Sequence, residues 1–321
     1  MSDFATRARA ALKEQGLSLR GAARAINFDS GHLSRVFSGK RPPSPEMAKA
    51  IDTLVGADGA LAALASTLTP DDRERVARSF ALPSRLDSGT VQALANVLAA
   101  QRRLEDAVGA SVMLPGSLAQ LSTVTGFVRD AHGPHRASLL AVVAEMHQHA
   151  GWMLAAVRRD REALSMLALA EEMADEADAP VIAAVAVSFR GYVARQQRHF
   201  GGVVRASQAA RHSPGAHETQ QVFDTFQAAQ GYAGLGRADA ARRLLDEAAH
   251  RAATAGEPPD VVYWYSPAFF SLNIGMVHAS LGDHADAADH LRTGLDGLPP
   301  EQRGAEWTEE YREALVAAQA A

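Results

Sequence analysis

Apolar and polar positions along the first 65 residues alternate with a helical period. Phe4, Ala8, Ala11 and Leu12 predict a helix over 3–15, and Gly16 stands where a helix C-terminal glycine belongs. Ser18 is placed to cap a second helix reaching Ile26, with Ala22, Ala23 and Ile26 on its inner side. Asn27, Phe28 and Asp29 read as a tight turn. Asn27 tolerates a left-handed backbone, Phe28 plugs the core and Asp29 caps the next helix. That third helix spans 30–38; Leu33, Val36 and Phe37 point inward, which leaves Ser30, Gly31, Ser34 and Arg35 outward. Gly39 ends it, Lys40 and Arg41 follow, and Pro42 and Pro43 stiffen the exit. Ser44-Pro45-Glu46 opens a fourth helix, buried through Met47, Ala50, Ile51 and Leu54, and a short fifth helix is expected near 58–68.

Breaker clusters at 69–72, 81–84 and 87–89 place a linker at 66–88. Two connector helices are expected in 89–130, separated at Met113-Leu114-Pro115, and on the first of them Arg102, Arg103, Glu105 and Asp106 read as a solvated face. From 131 to the end a repeat emerges. Small residues recur at matching places: Gly151, Ala163 and Ala170; Gly191, Val203 and Ala210; Ala229, Ala241 and Ala248; Gly275, Ala287 and Gly294. Four helical hairpins follow from this, the small side chains letting the paired helices approach, with a last helix from Trp307 capping the stack.

Composition narrows the class. Alanine-rich, with 47% apolar and only 6% aromatic residues, the chain reads as all-α. The absence of cysteine excludes disulfides and zinc thiolates and fits a reducing cytoplasm. No apolar run is long enough to span a bilayer, so no membrane partner is expected. The net charge of -5 is unevenly spread. Residues 1–56 hold nine Lys or Arg against five acids, a net of +4, so the remainder carries -9. A basic head on an acidic body suits a polyanion partner for the head alone.

The stretch LSLRGAARAINFDSGHLSRVFSGKRPPSPE resembles the lambda-repressor-like (XRE family) helix-turn-helix. The resemblance implies a five-helix DNA-binding domain over 1–65, with Ser30, Gly31, Ser34 and Arg35 reading bases and Ser18, Arg20, Lys40 and Arg41 contacting phosphates; His32, at the edge of the third helix, is placed to touch phosphate as well. One departure is the second helix's first residue, Leu19, where the family often has a bracing glutamine. Residues 131–321 resemble tetratricopeptide repeats in an α-solenoid, although spacings of 40, 38 and 46 residues exceed the usual ~34. The arrangement as a whole resembles actinobacterial regulators that join such a head to repeats. It implies a cytoplasmic homodimer on double-stranded DNA, with a palindromic operator, and a body that senses a signal.

In that register the first helix of each hairpin lines a groove carrying Glu145, Gln148, Trp152, Tyr192, Arg195, Phe223, Phe226, Gln230, Phe269 and Met276. Rings bury area while amides and an arginine satisfy polar groups, which suits a peptide, small-molecule or protein ligand. The aromatic run 263–270, YWYSPAFF, points to a site nearby. The histidines at 132, 135, 147 and 149 lack metal-ligand spacing, and Gly234 and Gly236 read as a repeat turn rather than a dinucleotide fingerprint. No catalytic residue, metal or cofactor is expected. The rival reading is a repeat-type interaction scaffold without specific DNA binding.

Overall fold

The computed structural model describes residues 3–38, 43–57, 61, 74–75, 77–79, 82, 86–300 and 302–321. Every regular element among them is helical, and the chain divides into two compact units, 1–77 and 78–321. We call them the head and the body. Most of 58–73, including all but Leu61 of the expected fifth helix, lies outside the described residues, as do Gly39, Lys40, Arg41 and Pro42.

The head contains α1 (Asp3–Glu14), α2 (Leu19–Ala25), α3 (Ser30–Phe37) and α4 (Pro45–Val55). Local chemistry sets each boundary. Gly16 turns the chain out of α1 with φ 67°, and the Ser18 hydroxyl accepts from Gly21 N at 3.1 Å to cap α2. Asn27 takes φ 56° in the turn, and Asp29 Oδ1 accepts from His32 N at 2.7 Å to open α3. Ser44 caps α4, with Pro45 in its first turn and Gly56 ending it left-handed. The core inside is small and apolar: Phe4, Leu12, Leu33, Val36, Phe37, Met47 and Ile51 are buried together, and Phe28 packs against them half-buried.

The body opens with α5 (Ser88–Val108) and α6 (Ala110–Asp130). The break between them is not at Pro115, which sits inside α6, but at Gly109, whose φ of 84° no L side chain adopts comfortably. As the sixth residue of α6, past its first turn, Pro115 costs the bond to the Ser111 carbonyl and sets its ring against it, yet the helix continues through it. A residue from the far end of the chain completes the start of α6: Glu306 Oε2 accepts from Ala110 N at 2.9 Å.

Four antiparallel hairpins follow: α7 (Arg136–Ala156) with α8 (Asp160–Glu176), α9 (Pro180–Gln196) with α10 (Phe200–Arg211), α11 (Glu218–Gly234) with α12 (Ala238–Ala252), and α13 (Pro267–Leu281) with α14 (His284–Gly297). A final helix, α15 (Glu309–Ala320), packs on α13 and α14. The small-residue marks are where paired helices meet. A Cβ at Gly151 would lie 2.8 Å from Leu167, and one at Gly275 2.7 Å from Leu291. Ala163, Ala170, Val203, Ala210, Ala229, Ala241, Ala248 and Ala287 are all buried. Of the four hairpin turns, glycine supplies the left-handed residue in two, Gly236 and Gly282; in the others Arg158 (φ 61°) and Arg198 (φ 56°) take that conformation. A Leu, Val and aromatic core runs continuously from α6 through the hairpins to α15.

Candidate functional site

The head presents an exposed face on α3. Leu33, Val36 and Phe37 fix one side of the helix in the core, and this turns Ser30, Gly31, Ser34 and Arg35 to solvent. Asp29 holds the first turn, and Arg9 Nη2 donates to Phe37 O at the other end, so both ends of α3 are tied down. Three small residues beside one guanidinium leave room for close approach to a flat edge. Of the residues the resemblance assigns to phosphate, Ser18 is exposed but engaged in the α2 cap, Arg20 is exposed, and His32 is half-buried at the edge of α3. Lys40 and Arg41 lie outside the described residues. Leu19, at the place of the bracing glutamine, packs against the head core.

The body contains a cavity that opens to solvent at its mouth. The first helix of every hairpin lines it: Gln148, His149 and Trp152 from α7, Phe189, Tyr192 and Arg195 from α9, Phe223, Gln227 and Gln230 from α11, and Phe269 and Asn273 from α13. Opposite these stand Arg102, Glu105 and Asp106 of α5, Tyr263 and Trp264 from the segment before α13, and Trp307, Glu310 and Tyr311 near the C-terminus. Seven of the ten groove residues named from the sequence therefore meet at one cavity. Glu145, Phe226 and Met276 do not. Glu145 turns to pair with Arg102, Phe226 sits one helical step from the lining row 223–227–230 and packs against Phe270, and Met276 lies against the core.

The largest departure from the sequence reading is on α5. Arg102, Glu105 and Asp106 are not a solvated face but buried, and only Arg103 of that group is exposed. The apolar stripe Val91, Leu94, Leu98 continues in register as Arg102 and Glu105, so the buried side of one helix passes from apolar to charged. The outward side inverts to match: Leu104 is 50% exposed, Val108 42%, and Val112 in α6 66%. That stripe is the signal through which α5 was findable; its partners, 40 to 200 residues away, were not.

Each charge within the cavity wall has a defined setting. Arg102 donates to Glu145 (2.5 Å) and Gln148 (3.0 Å) and lies 5.9 Å from the Trp264 ring. Arg195 pairs with both carboxylate oxygens of Glu310 (2.9 and 3.0 Å) over the Tyr192 ring. Asp106 accepts from the Tyr263 hydroxyl (3.0 Å) and the Trp307 indole (3.2 Å). Burial pushes the Glu105 carboxyl up to about 7, opposed by a hydrogen bond from Trp152, with the neighbouring Glu306 charge adding to the rise. His149 is held neutral, down to about 3, by burial and by the Arg102 charge; its Nε2 has no hydrogen-bond partner and stands 3.9 Å from Glu105. Behind the wall a further buried acid, Asp224, accepts from Ser188 and Gln220, and burial raises it to about 7.

The model of a helix-turn-helix domain family matches residues 3–65, which supports a DNA-binding domain there. No curated protein and no solved structure matches the chain. Among the described residues no helix is long and apolar enough to cross a membrane.

Proposed function

We propose that this protein is a sequence-specific transcriptional regulator, cytoplasmic and homodimeric, in which the head reads an operator half-site and the repeat body receives the regulatory signal. The observation that carries the reading is α3, capped at its start, anchored on one side and bare on the other, in a segment matching a helix-turn-helix domain. Arg35 donates to a guanine edge, and Ser30, Gly31 and Ser34 let the helix sit deep enough for it to do so. Arg20, Lys40 and Arg41 neutralise phosphates. Two heads on one dimer then read half-sites about one helical turn, ~34–36 Å, apart.

Outward apolar side chains at Leu104, Val108 and Val112 favour the start of the body as the dimer surface. The cavity, lined by tetratricopeptide-like hairpins and mostly by rings, favours a ligand inside the body, and a ligand with unequal affinity for two body conformations would shift the DNA-competent population. The test is a pair of variants. Arg35→Ala should cost about 1–3 kcal/mol on the operator and little on random DNA, whereas Arg20→Ala should weaken both alike and flatten the salt dependence. Equal losses for Arg35→Ala on operator and random sequence would overturn its assignment, and an unsubstituted protein that prefers no sequence over random DNA would favour a protein-interaction scaffold.

A further inference from the structure

The charges of the body cavity do not balance, and the imbalance has a location. Both guanidinium groups in the wall are already committed, Arg102 to Glu145 and Gln148 and Arg195 to Glu310. An anionic ligand would have to break one of these pairs. Beside the main cavity lies a side chamber that shares Glu105, Trp152, Tyr192, Trp307 and Glu310 with it and adds Glu306 and Ala156. Three carboxylates face that chamber and, among the described residues, no cation does. Glu310 is answered by Arg195, and Glu306 by the backbone N–H of Ala110. Glu105 accepts from the Trp152 indole and has a neutral imidazole beside it; the Arg102 guanidinium, committed to Glu145 and Gln148, acts on it only through space.

The second observation is independent of the acids. His149 is 4% exposed, lines the cavity, and leaves Nε2 unpartnered next to Glu105. A buried polar atom without a partner is costly and uncommon, and a ligand donor at that place would satisfy it. The third is the wall. The chain has three tryptophans, and all three line this cavity. Ring contacts join Trp152 to Phe189 and Tyr192 at 5.5 and 5.1 Å, and Trp307 to Phe269 at 5.8 Å. Electron-rich faces around an unpaired carboxylate attract a positive charge. Among the described residues no three carboxylates or imidazoles converge as a metal ion requires, so the space suits a cation with a body.

We propose that the cavity binds a small organic amine in its protonated form, the ammonium seated against Glu105 and His149 between the Trp152 and Trp307 rings and the apolar body filling the aromatic main chamber. The ammonium supplies the missing charge to Glu105 and an N–H to His149 Nε2, while Phe189, Phe223 and Trp264 cover the remainder. This rests on the body being the ligand-receiving part of a regulator, and names what it receives.

The test is a fluorescence titration of the full-length protein at pH 7.5 with 2-phenylethylamine, 2-phenylethanol and 3-phenylpropionate, which share a body and differ in charge. Because every tryptophan lines the cavity, emission reports its filling directly. The amine should change the emission saturably, with a half-saturation at least about tenfold lower than the alcohol or the carboxylate, a difference of about 1.4 kcal/mol. Glu105→Gln should remove that advantage and leave alcohol binding unchanged. Alcohol or carboxylate binding as tightly as the amine would overturn the cation while leaving a ligand-receiving body in place, and no response to the amine up to about 10 mM, a free energy near 3 kcal/mol, would overturn the proposal outright. No DNA enters the measurement, so a head that fails to bind an operator would not alter its outcome.

Discussion

The head and the body place their charged groups on opposite sides of their cores. In the head the core is apolar apart from Asp52, a buried carboxylate that accepts from Leu61 N at 2.7 Å, while the cations Arg20, Arg24, Arg35 and Lys49 are all exposed. In the body, Arg102, Glu105, Asp106, His149 and Asp224 are buried within the protein, and Arg102 and Asp106 are held by groups more than forty residues away in the chain. Charge on an exposed helix face is free to meet a large polyanion whose own solvation is displaced on contact. Charge inside a ring-lined cavity can meet only something small enough to enter, and there it acts in a medium where each unpaired charge matters far more. On the proposed reading, the contrast separates a surface for a macromolecule from an enclosure for a ligand within one chain.

Stability measurements should expose the contrast most sharply. Glu145→Ala leaves Arg102 buried with one amide and one ring, and should lower the body's unfolding free energy by about 3–5 kcal/mol. Arg35→Ala in the head should move stability by less than about 0.5 kcal/mol, since its guanidinium is exposed. Denaturant unfolding followed by tryptophan emission reads the body alone, because Trp152, Trp264 and Trp307 all lie there, and far-ultraviolet circular dichroism, which includes the head helices, reads Arg35→Ala. A loss below about 1 kcal/mol for Glu145→Ala would mean the pair is not the support described, being in the range of an exposed bridge.

A pH comparison comes next in size. The Glu105 carboxyl titrates near 7 when folded and near 4.5 otherwise, so between those values the folded chain holds a proton that the unfolded chain has released. Folding is therefore unpenalised by this group below about 4.5, weakens as pH rises, and bears the whole cost above about 7. Glu105→Gln should remove a destabilisation on the order of 3 kcal/mol at pH 8 and almost none at pH 4. Asp224, raised to about 7, works in the same direction and remains in both proteins; His149, lowered to about 3, works oppositely as pH falls below 6.5. Equal stabilities of the two proteins at pH 8 would contradict the burial assigned to Glu105. The smallest effect belongs to the turns: Asp178 has φ 53°, and Asp178→Gly should raise the melting free energy by a few tenths to about 1 kcal/mol.

The same division governs what could be read from residues alone. In the head, caps and turns are local: Ser18, Asn27, Asp29 and Pro45 each act on backbone within three residues, and each is found doing so. In the hairpins, one small residue per helix is enough to announce a close approach, and Gly151, Ala163, Gly275 and Ala287 mark it. The cavity was legible only from one side. Helical spacing indicated Trp152, Tyr192 and Phe269, but Gln227 and Asn273 needed the register to within one residue, and Phe226 was misplaced by that margin. Arg102, Glu105 and Asp106 look like any solvated charge cluster until the aromatic C-terminal segment is folded over them. Nothing in a turn residue's identity foretold that Arg158 and Arg198 would take left-handed places that glycine fills elsewhere.

The central claim, that the exposed α3 face reads sequence while the buried charges of the body do not, is tested most directly by selecting bound fragments from random double-stranded DNA with the full-length protein at physiological salt. An inverted repeat should be enriched, its half-sites separated by about one helical turn, and Arg35→Ala should lose a guanine-containing position from it while still binding DNA weakly. Recovery of unselected sequence by both proteins, with an affinity set only by salt, would contradict it.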